Sequence, residues 1–263
     1  MGSTTSPQNP STSGPVPTLT VVIPAYNEIS TIADVLERVQ NVPIIKEIIV
    51  IDDGSTDGTR EFLKNLAVAG PVANFRAHTN STGGDESYSN ELRFIFQEKN
   101  RGKGAALRRG FEQARGEIVI IQDADLELDP REYPRLIGPI QQGVADVVYG
   151  SRFLGKRREG VPIARYLANK GLTLASNLCT GLNLTDVWTG YKTFRRDILQ
   201  KIHLREDRFA FEAEITAKIA RSGCRVHEVP VSYACRGYAE GKKISWKDSI
   251  RGIWSTFRYS AFS

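Results

Sequence analysis

The apolar run Ile118-Val119-Ile120-Ile121 ends in Gln122-Asp123-Ala124-Asp125, and Leu126-Glu127 follows directly. Two carboxylates one residue apart at a strand end project to the same side of it. With no His or Cys nearby, they suit a hard divalent cation, Mg²⁺ or Mn²⁺, which takes oxygen ligands and leaves positions open for substrate phosphates. Zinc would call for imidazole or thiolate. The same spacing also serves a solvated loop, or the cap of a helix such as the one expected near Pro130. The motif alone leaves these readings open.

Other polar segments carry chemistry of the same kind. Pro24-Ala25-Tyr26-Asn27-Glu28 pairs an aromatic ring with a carboxylate, a combination that stacks on and hydrogen-bonds a nucleoside; it also reads as a turn opening a helix. Asp52-Asp53-Gly54-Ser55 could seat a base or ribose, or cap a helix. Asn100-Arg101-Gly102-Lys103-Gly104 partly resembles a glycine-rich phosphate loop but lacks the P-loop order, so it reads as structural first and phosphate-touching second. Arg152, after Gly150-Ser151, offers a guanidinium fork for phosphate oxygens. Glu212 and Glu214 read first as acidic residues favouring a helix N-terminus, with the alternative that one of them faces the active cleft, and His78, His203 and His227 as surface or core histidines.

These segments need a scaffold that brings strand ends together. Apolar runs at residues 18–23, 47–51, 92–97 and 118–121 each close in one of the polar loops, with helical spacing of apolar residues in between. Successive βα units imply a parallel sheet with right-handed crossovers, whose carboxyl-end loops lie side by side where such sheets bind ligands. Further on, strands are expected at 145–149 and 225–233, a turn and strand at 185–194, and helices at 162–182 and 209–220. Residues 1–17, rich in Ser, Thr, Pro and Gly, read as a disordered tail, and 70–90 as a flexible insertion. The expectation is one α/β domain over 18–263.

The 263 residues carry a formal charge of +5, concentrated at Arg152, Lys156, Arg157, Arg158, Arg165 and Lys170 and again between Arg236 and Arg258. Clustered cations imply an anionic partner: nucleic acid, lipid headgroup or phosphorylated metabolite. Nucleic acid is set aside because the acidic loops cluster where a polyanion would have to sit. Three cysteines without metal or redox spacing point to a reducing, cytoplasmic setting. No stretch reaches the roughly 18 apolar residues needed to span a bilayer. Trp246, Ile250, Ile253, Trp254 and Phe257 fall on one helical face, which could rest on an anionic leaflet or pack on the sheet.

Taken in order, Pro-Ala-Tyr-Asn-Glu, Asp-Asp-Gly-Ser-Thr-Asp-Gly-Thr, Asn-x-Gly-Lys-Gly, Asp-Ala-Asp and Gly-Ser-Arg resemble the inverting family 2 glycosyltransferases of the GT-A fold, a Rossmann-like domain. Within them the chain is most similar to the polyprenyl-phosphate (dolichyl-phosphate) mannosyl- and glucosyltransferases, over residues 18 to about 250. The resemblance implies a nucleotide pocket lined by Pro24, Tyr26, Glu28, Ile51, Asp53 and Ala124. It implies a metal on Asp123, Asp125 and Glu127, where relatives often carry Gln in place of Glu127. Phosphate would be held by Arg152, and the acceptor phosphate by Arg152, Lys192, Arg236 and Lys242, with the register between Lys242 and Lys243 left open.

The implied donor is a UDP- or GDP-hexose, the acceptor a lipid phosphate, and the contact with the membrane peripheral. The implied reaction displaces the nucleoside diphosphate from the anomeric carbon by the acceptor oxygen on the opposite face. A phosphate monoester, with a second pKa of about 6, is already anionic near neutrality and requires no general base. A soluble hydroxyl acceptor would require one, and Asp186 is then the candidate.

Overall fold

The computed structural model describes residues 18–68, 91–154, 161–235, 254, 255 and 257–259. The expected tail at 1–17, the insertion at 70–90, Arg236 and Lys242, and most of the apolar face from Trp246 to Ile253 lie outside the described residues.

Strand β1 (Leu19–Ala25) is followed by helix α1 (Ile32–Gln40), β2 (Lys46–Asp52), α2 (Thr59–Val68), β3 (Glu91–Phe96), α3 (Lys103–Gln113) and β4 (Ile118–Ile121). A 3-10 turn at Pro130–Glu132 leads into α4 (Tyr133–Gln141). Then come β5 (Val147–Ser151), α5 (Ile163–Thr180), β6 (Lys192–Arg195), α6 (Arg196–Leu199), α7 (Phe211–Arg221) and β7 (Val226–Pro230). The strands form one seven-stranded sheet in the order β3-β2-β1-β4-β6-β5-β7. All run parallel except β6, which is antiparallel to both β4 and β5.

Central strands covered on both faces must be apolar throughout rather than alternating. β1 and β2 obey this: Val21, Val22, Ile23, Ile48, Ile49, Val50 and Ile51 are each 0% exposed. Burying each such side chain contributes about 1.5–3 kcal/mol, so the sheet centre is the most heavily stabilised part of the chain. One layer packs Ile32, Val35, Leu36 and Val39 of α1 with Leu136 and Ile140 of α4 against it; the other packs Leu107 and Phe111 of α3 with Phe211 and Ile215 of α7. Helix α3 lies especially close to the sheet because Gly110 has no Cβ to meet Val22 and Ile51.

The expected turn and strand at 185–194 contracts to β6, Lys192–Arg195. Because β6 runs opposite to its neighbours, its start, not its end, lies beside the carboxyl ends of β4 and β5. The segment 186–191 is thereby brought to the functional edge of the sheet.

Candidate active site

A cleft of about 390 Å³ opens at the carboxyl ends of the parallel strands, within the size range of small-molecule sites. Its walls come from every strand-end loop singled out by the sequence: Pro24, Tyr26 and Glu28 after β1, Asp53 after β2, Asn100, Gly102 and Lys103 after β3, and Asp123, Ala124, Asp125 and Glu127 after β4. Arg152 follows β5. Trp188 and Gly190 precede β6, Arg208 and Phe209 lie just before α7, Glu212 is in its first turn, and Tyr233 follows β7.

The first two loops are stapled together. Asn27 adopts φ 53°, one of the few left-handed positions a non-glycine residue tolerates. This lets its Oδ1 accept from Thr56 N at 2.8 Å while its own N–H donates to Ser55 Oγ at 3.0 Å. Glu28 N donates to Thr59 Oγ1 at 2.9 Å.

Asp53 organises the next loop. It accepts from Gln97 Nε2 at 2.9 Å, Asn100 Nδ2 at 3.0 Å, Arg101 N at 2.8 Å and Gly102 N at 2.7 Å. Burial pushes its carboxyl up, against the pull of the Arg101 and Gly102 amides. Gly102, at φ 109°, passes so close to Asp207 and Arg208 that no side chain fits. The segment Asn100–Gly104, expected to be mainly structural, therefore both closes on Asp53 and delivers Lys103 into the cleft. Ile51, by contrast, does not line the cleft: its side chain is 0% exposed in the core beside Val22 and Leu107. Its apolar neighbours hold it there, one residue short of the strand end.

At the end of β4, Gln122 Oε1 receives the hydroxyls of Tyr133 at 2.9 Å and Tyr191 at 2.8 Å, and Thr31 Oγ1 donates to Ala124 O at 2.9 Å. These bonds hold the acidic loop from both sides. Asp123 Oδ1 lies 2.8 Å from Lys103 Nζ, Asp125 Oδ1 accepts from Glu127 N at 3.1 Å, and Glu127 Oε2 accepts from Tyr233 OH at 2.9 Å. Among the described residues, no three His, Cys, Asp or Glu side chains are gathered around one point. Glu127, expected as a third ligand, lines the same cleft with its Oε2 engaged by Tyr233.

The donor chemistry nevertheless fits Mg²⁺ or Mn²⁺. Every candidate ligand is a carboxylate oxygen, these ions are commonly bound by one or two carboxylates with water and substrate phosphates completing the shell, and the ammonium at Asp123 marks a place that already holds positive charge.

Arg152 is fixed by a buried carboxylate. Asp186, 0% exposed, accepts from Arg152 N at 3.0 Å, Nε at 2.7 Å and Nη2 at 2.9 Å, and from Asn169 Nδ2 at 3.2 Å. Nη2 also donates to Trp188 O at 2.9 Å, which leaves Nη1 without a hydrogen-bond partner among the described residues. Burial raises the Asp186 carboxyl, but the charge and hydrogen bonds of Arg152, with the Asn169 amide, together outweigh it and the net shift is downward. Asp186 is thus not placed as a general base: it is sealed from the cleft and holds an arginine.

Lys192 is corrected in the same way. It is 0% exposed, does not line the cleft, and donates to Thr189 O at 2.6 Å and to Glu212 Oε2. Being the first residue of an antiparallel strand, it points beneath the cleft floor. Glu212, expected first to favour its helix terminus and as an alternative to face the cleft, lines the cleft and joins Lys192 to Lys103. Tyr233 was not singled out from the sequence. Glu214 is an inward anchor, accepting the backbone amides of Arg205 at 2.8 Å and Glu206 at 2.8 Å.

The geometry can therefore hold a hard cation, a planar ring near Tyr26 and anionic groups near Arg152 and Lys103. The polyprenol monophosphomannose synthase of Mycolicibacterium smegmatis is 30% identical over 236 residues, covering 87% of this chain and 82% of that one. The undecaprenyl-phosphate mannosyltransferase of Micrococcus luteus is 29% identical over 225 residues, covering 84% of this chain and 85% of that one.

In fold, the chain is similar to glucosyl-3-phosphoglycerate synthase from Mycobacterium tuberculosis, solved with Mn²⁺, UDP and phosphoglyceric acid. The TM-score is 0.66 at 21% identity, over 94% of this chain and 80% of that one. The model of "Glycosyl transferase family 2" matches residues 20–203, from β1 through α6, stopping short of Glu212 and Tyr233. With that match spanning more than half its length, the chain belongs to glycosyl transferase family 2.

Proposed function

We propose that this protein transfers a hexose from UDP- or GDP-hexose to a polyprenyl phosphate, with inversion and with Mg²⁺ or Mn²⁺ on Asp123 and Asp125. The relatives named above act, by their names, on undecaprenyl phosphate and polyprenol phosphate, and a structural neighbour was solved with Mn²⁺ and UDP. Tyr26, Glu28 and Asp53 would bound the nucleoside, and Arg152 Nη1 would take a phosphate oxygen. The cation would offset charge gathering on the leaving diphosphate.

The observation that carries the acceptor class is Asp186. It is buried and ion-paired to Arg152, and Glu212 is held by two lysines. Acceptors that must lose a proton are poorly served by such groups, whereas a phosphate monoester is already ionised.

Contact with lipid is peripheral in this reading, on the cytoplasmic face. No helix among the described residues is long and apolar enough to cross a membrane. Helix α5 does expose a stripe: Ile163 is 59% exposed, Leu167 62%, Leu174 61% and Leu178 80%. Positions 0, 4, 11 and 15 along a helix fall on one face, and a prenyl chain lying in a leaflet gives that face an apolar neighbour.

The test is transfer of radiolabelled sugar from the nucleotide donor into an organic-soluble product with polyprenyl phosphate and Mn²⁺. Wild type should transfer, EDTA should stop it, and Asp125→Asn should lose activity while keeping its fold by circular dichroism. Label that enters only water-soluble products would reject the lipid acceptor, and full activity of Asp125→Asn in EDTA would reject the metal.

A further inference from the structure

From the cleft wall to beneath its floor four charges alternate in a chain: Asp123, Lys103, Glu212, Lys192. Lys103 Nζ is 2.8 Å from Asp123 Oδ1 and 3.1 Å from Glu212 Oε1, and Glu212 Oε2 pairs with Lys192. The formal charges of these four cancel, so Asp123 is already neutralised by its neighbours without any added ion.

The two ends differ in freedom. Lys192 is 0% exposed and also bonded to Thr189 O, and the Glu212 side chain is 6% exposed on the first turn of α7. Neither can leave without stranding a buried charge, which is strongly unfavourable. Lys103 sits at the start of α3 on a flexible four-carbon stem, its side chain 15% exposed, and Asp123 is 25% exposed at the cleft. Of the two lysines, Lys103 is therefore the one that reaches the cleft, held from below by Glu212.

We infer that Lys103 is the resident counter-ion of Asp123, a positioning residue that yields the carboxylate to the divalent cation and is transferred to the donor's diphosphate. This rests on the metal-dependent nucleotide-sugar reading above and goes beyond it. An ammonium beside Asp123 opposes a second cation there by like-charge repulsion. A diphosphate reverses the balance, since it gives Lys103 an anion to hold while it brings oxygens to the metal. The cation and the nucleotide should then bind together far better than either binds alone, and that coupling is reciprocal.

Mn²⁺ binding followed by electron paramagnetic resonance, with and without UDP or GDP, tests this independently of turnover. Lys103→Met should bind Mn²⁺ without nucleotide about tenfold or more tighter than wild type, because the competing charge is gone. Its metal–nucleotide coupling should shrink accordingly. Lys103→Arg, which restores the charge, should fall back toward wild-type affinity. Lys103→Gln is the second neutral variant, and circular dichroism reports whether each has folded. Unchanged or weaker nucleotide-free Mn²⁺ binding in a folded neutral variant would overturn the inference, and so would independent binding of Mn²⁺ and nucleotide to wild type. Absence of Mn²⁺ binding by every form, even with either nucleotide, would instead reject the metal-dependent donor site itself.

Discussion

Replacing Asp186 by Asn separates a catalytic carboxylate from one that holds an arginine. Asp186 is fully buried and receives three contacts from Arg152, whose side chain is 14% exposed. Removing one member of a buried ion pair costs about 3–5 kcal/mol, because the other charge is stranded. Asn retains an oxygen for the Arg152 amide, so the lower end, about 3 kcal/mol, applies. For a domain of this size each kcal/mol lowers Tm by about 2–4 °C, which places Asp186→Asn about 6–12 °C below wild type. The double variant Arg152→Met/Asp186→Asn removes both charges and should regain part of that loss, a coupling that calorimetric melts of the four proteins would measure.

Acid titration adds a signed check on the same residue. The Asp186 pKa is lowered by Arg152 in the folded state. Its stabilisation is therefore present above the unfolded value of about 3.9 and lost as pH falls through the lower folded value. The Tm gap between wild type and Asp186→Asn should be full at pH 7 and narrow below about pH 4. A variant that melts within about 2 °C of wild type at pH 7 and has still lost all transfer would refute this reasoning and return Asp186 to the role of base.

Two further perturbations probe the cleft and the exposed face of α5. A Cβ at Gly190 would collide with the Asp123 carboxylate and come within 2.9 Å of Leu128 Cδ1, so Gly190→Ala should displace Asp123 and weaken Mn²⁺ binding in the presence of nucleotide about tenfold, read by the same resonance titration. Leu167→Glu/Leu174→Glu places charge on exposed positions of α5; the protein should melt like wild type yet lose flotation with anionic liposomes, and undiminished flotation would exclude α5 as the lipid-facing surface.

The scaffold was legible because its causes are local in sequence. Apolar runs such as Val21-Val22-Ile23 and Ile48-Ile49-Val50-Ile51 can only be central strands, and each ends in a polar loop. A parallel arrangement then obliges those loops to share an edge, which is why Tyr26, Asp53, Asp123, Asp125 and Arg152 line one cleft. The motif order further identified the family. Even β6 was foreseen as a strand, although nothing in 185–194 indicated that it would run against its neighbours.

What the sequence by itself determined, then, was which residue types reach the cleft; what only the tertiary structure decided was which of them are already engaged. Lys103 and Glu212 are 109 positions apart, Arg152 and Asp186 are 34, and Glu127 and Tyr233 are 106. No spacing rule reaches across such distances, because pairing depends on how α7, β6 and β7 close over the sheet. For that reason Asp186 and Lys192, plausible as base and phosphate ligand in the sequence, are consumed beneath the floor. Of Glu212 and Glu214, between which the sequence could not choose, Glu212 stands in the cleft between two lysines, because folding alone determines which charges are left facing solvent and which must neutralise one another.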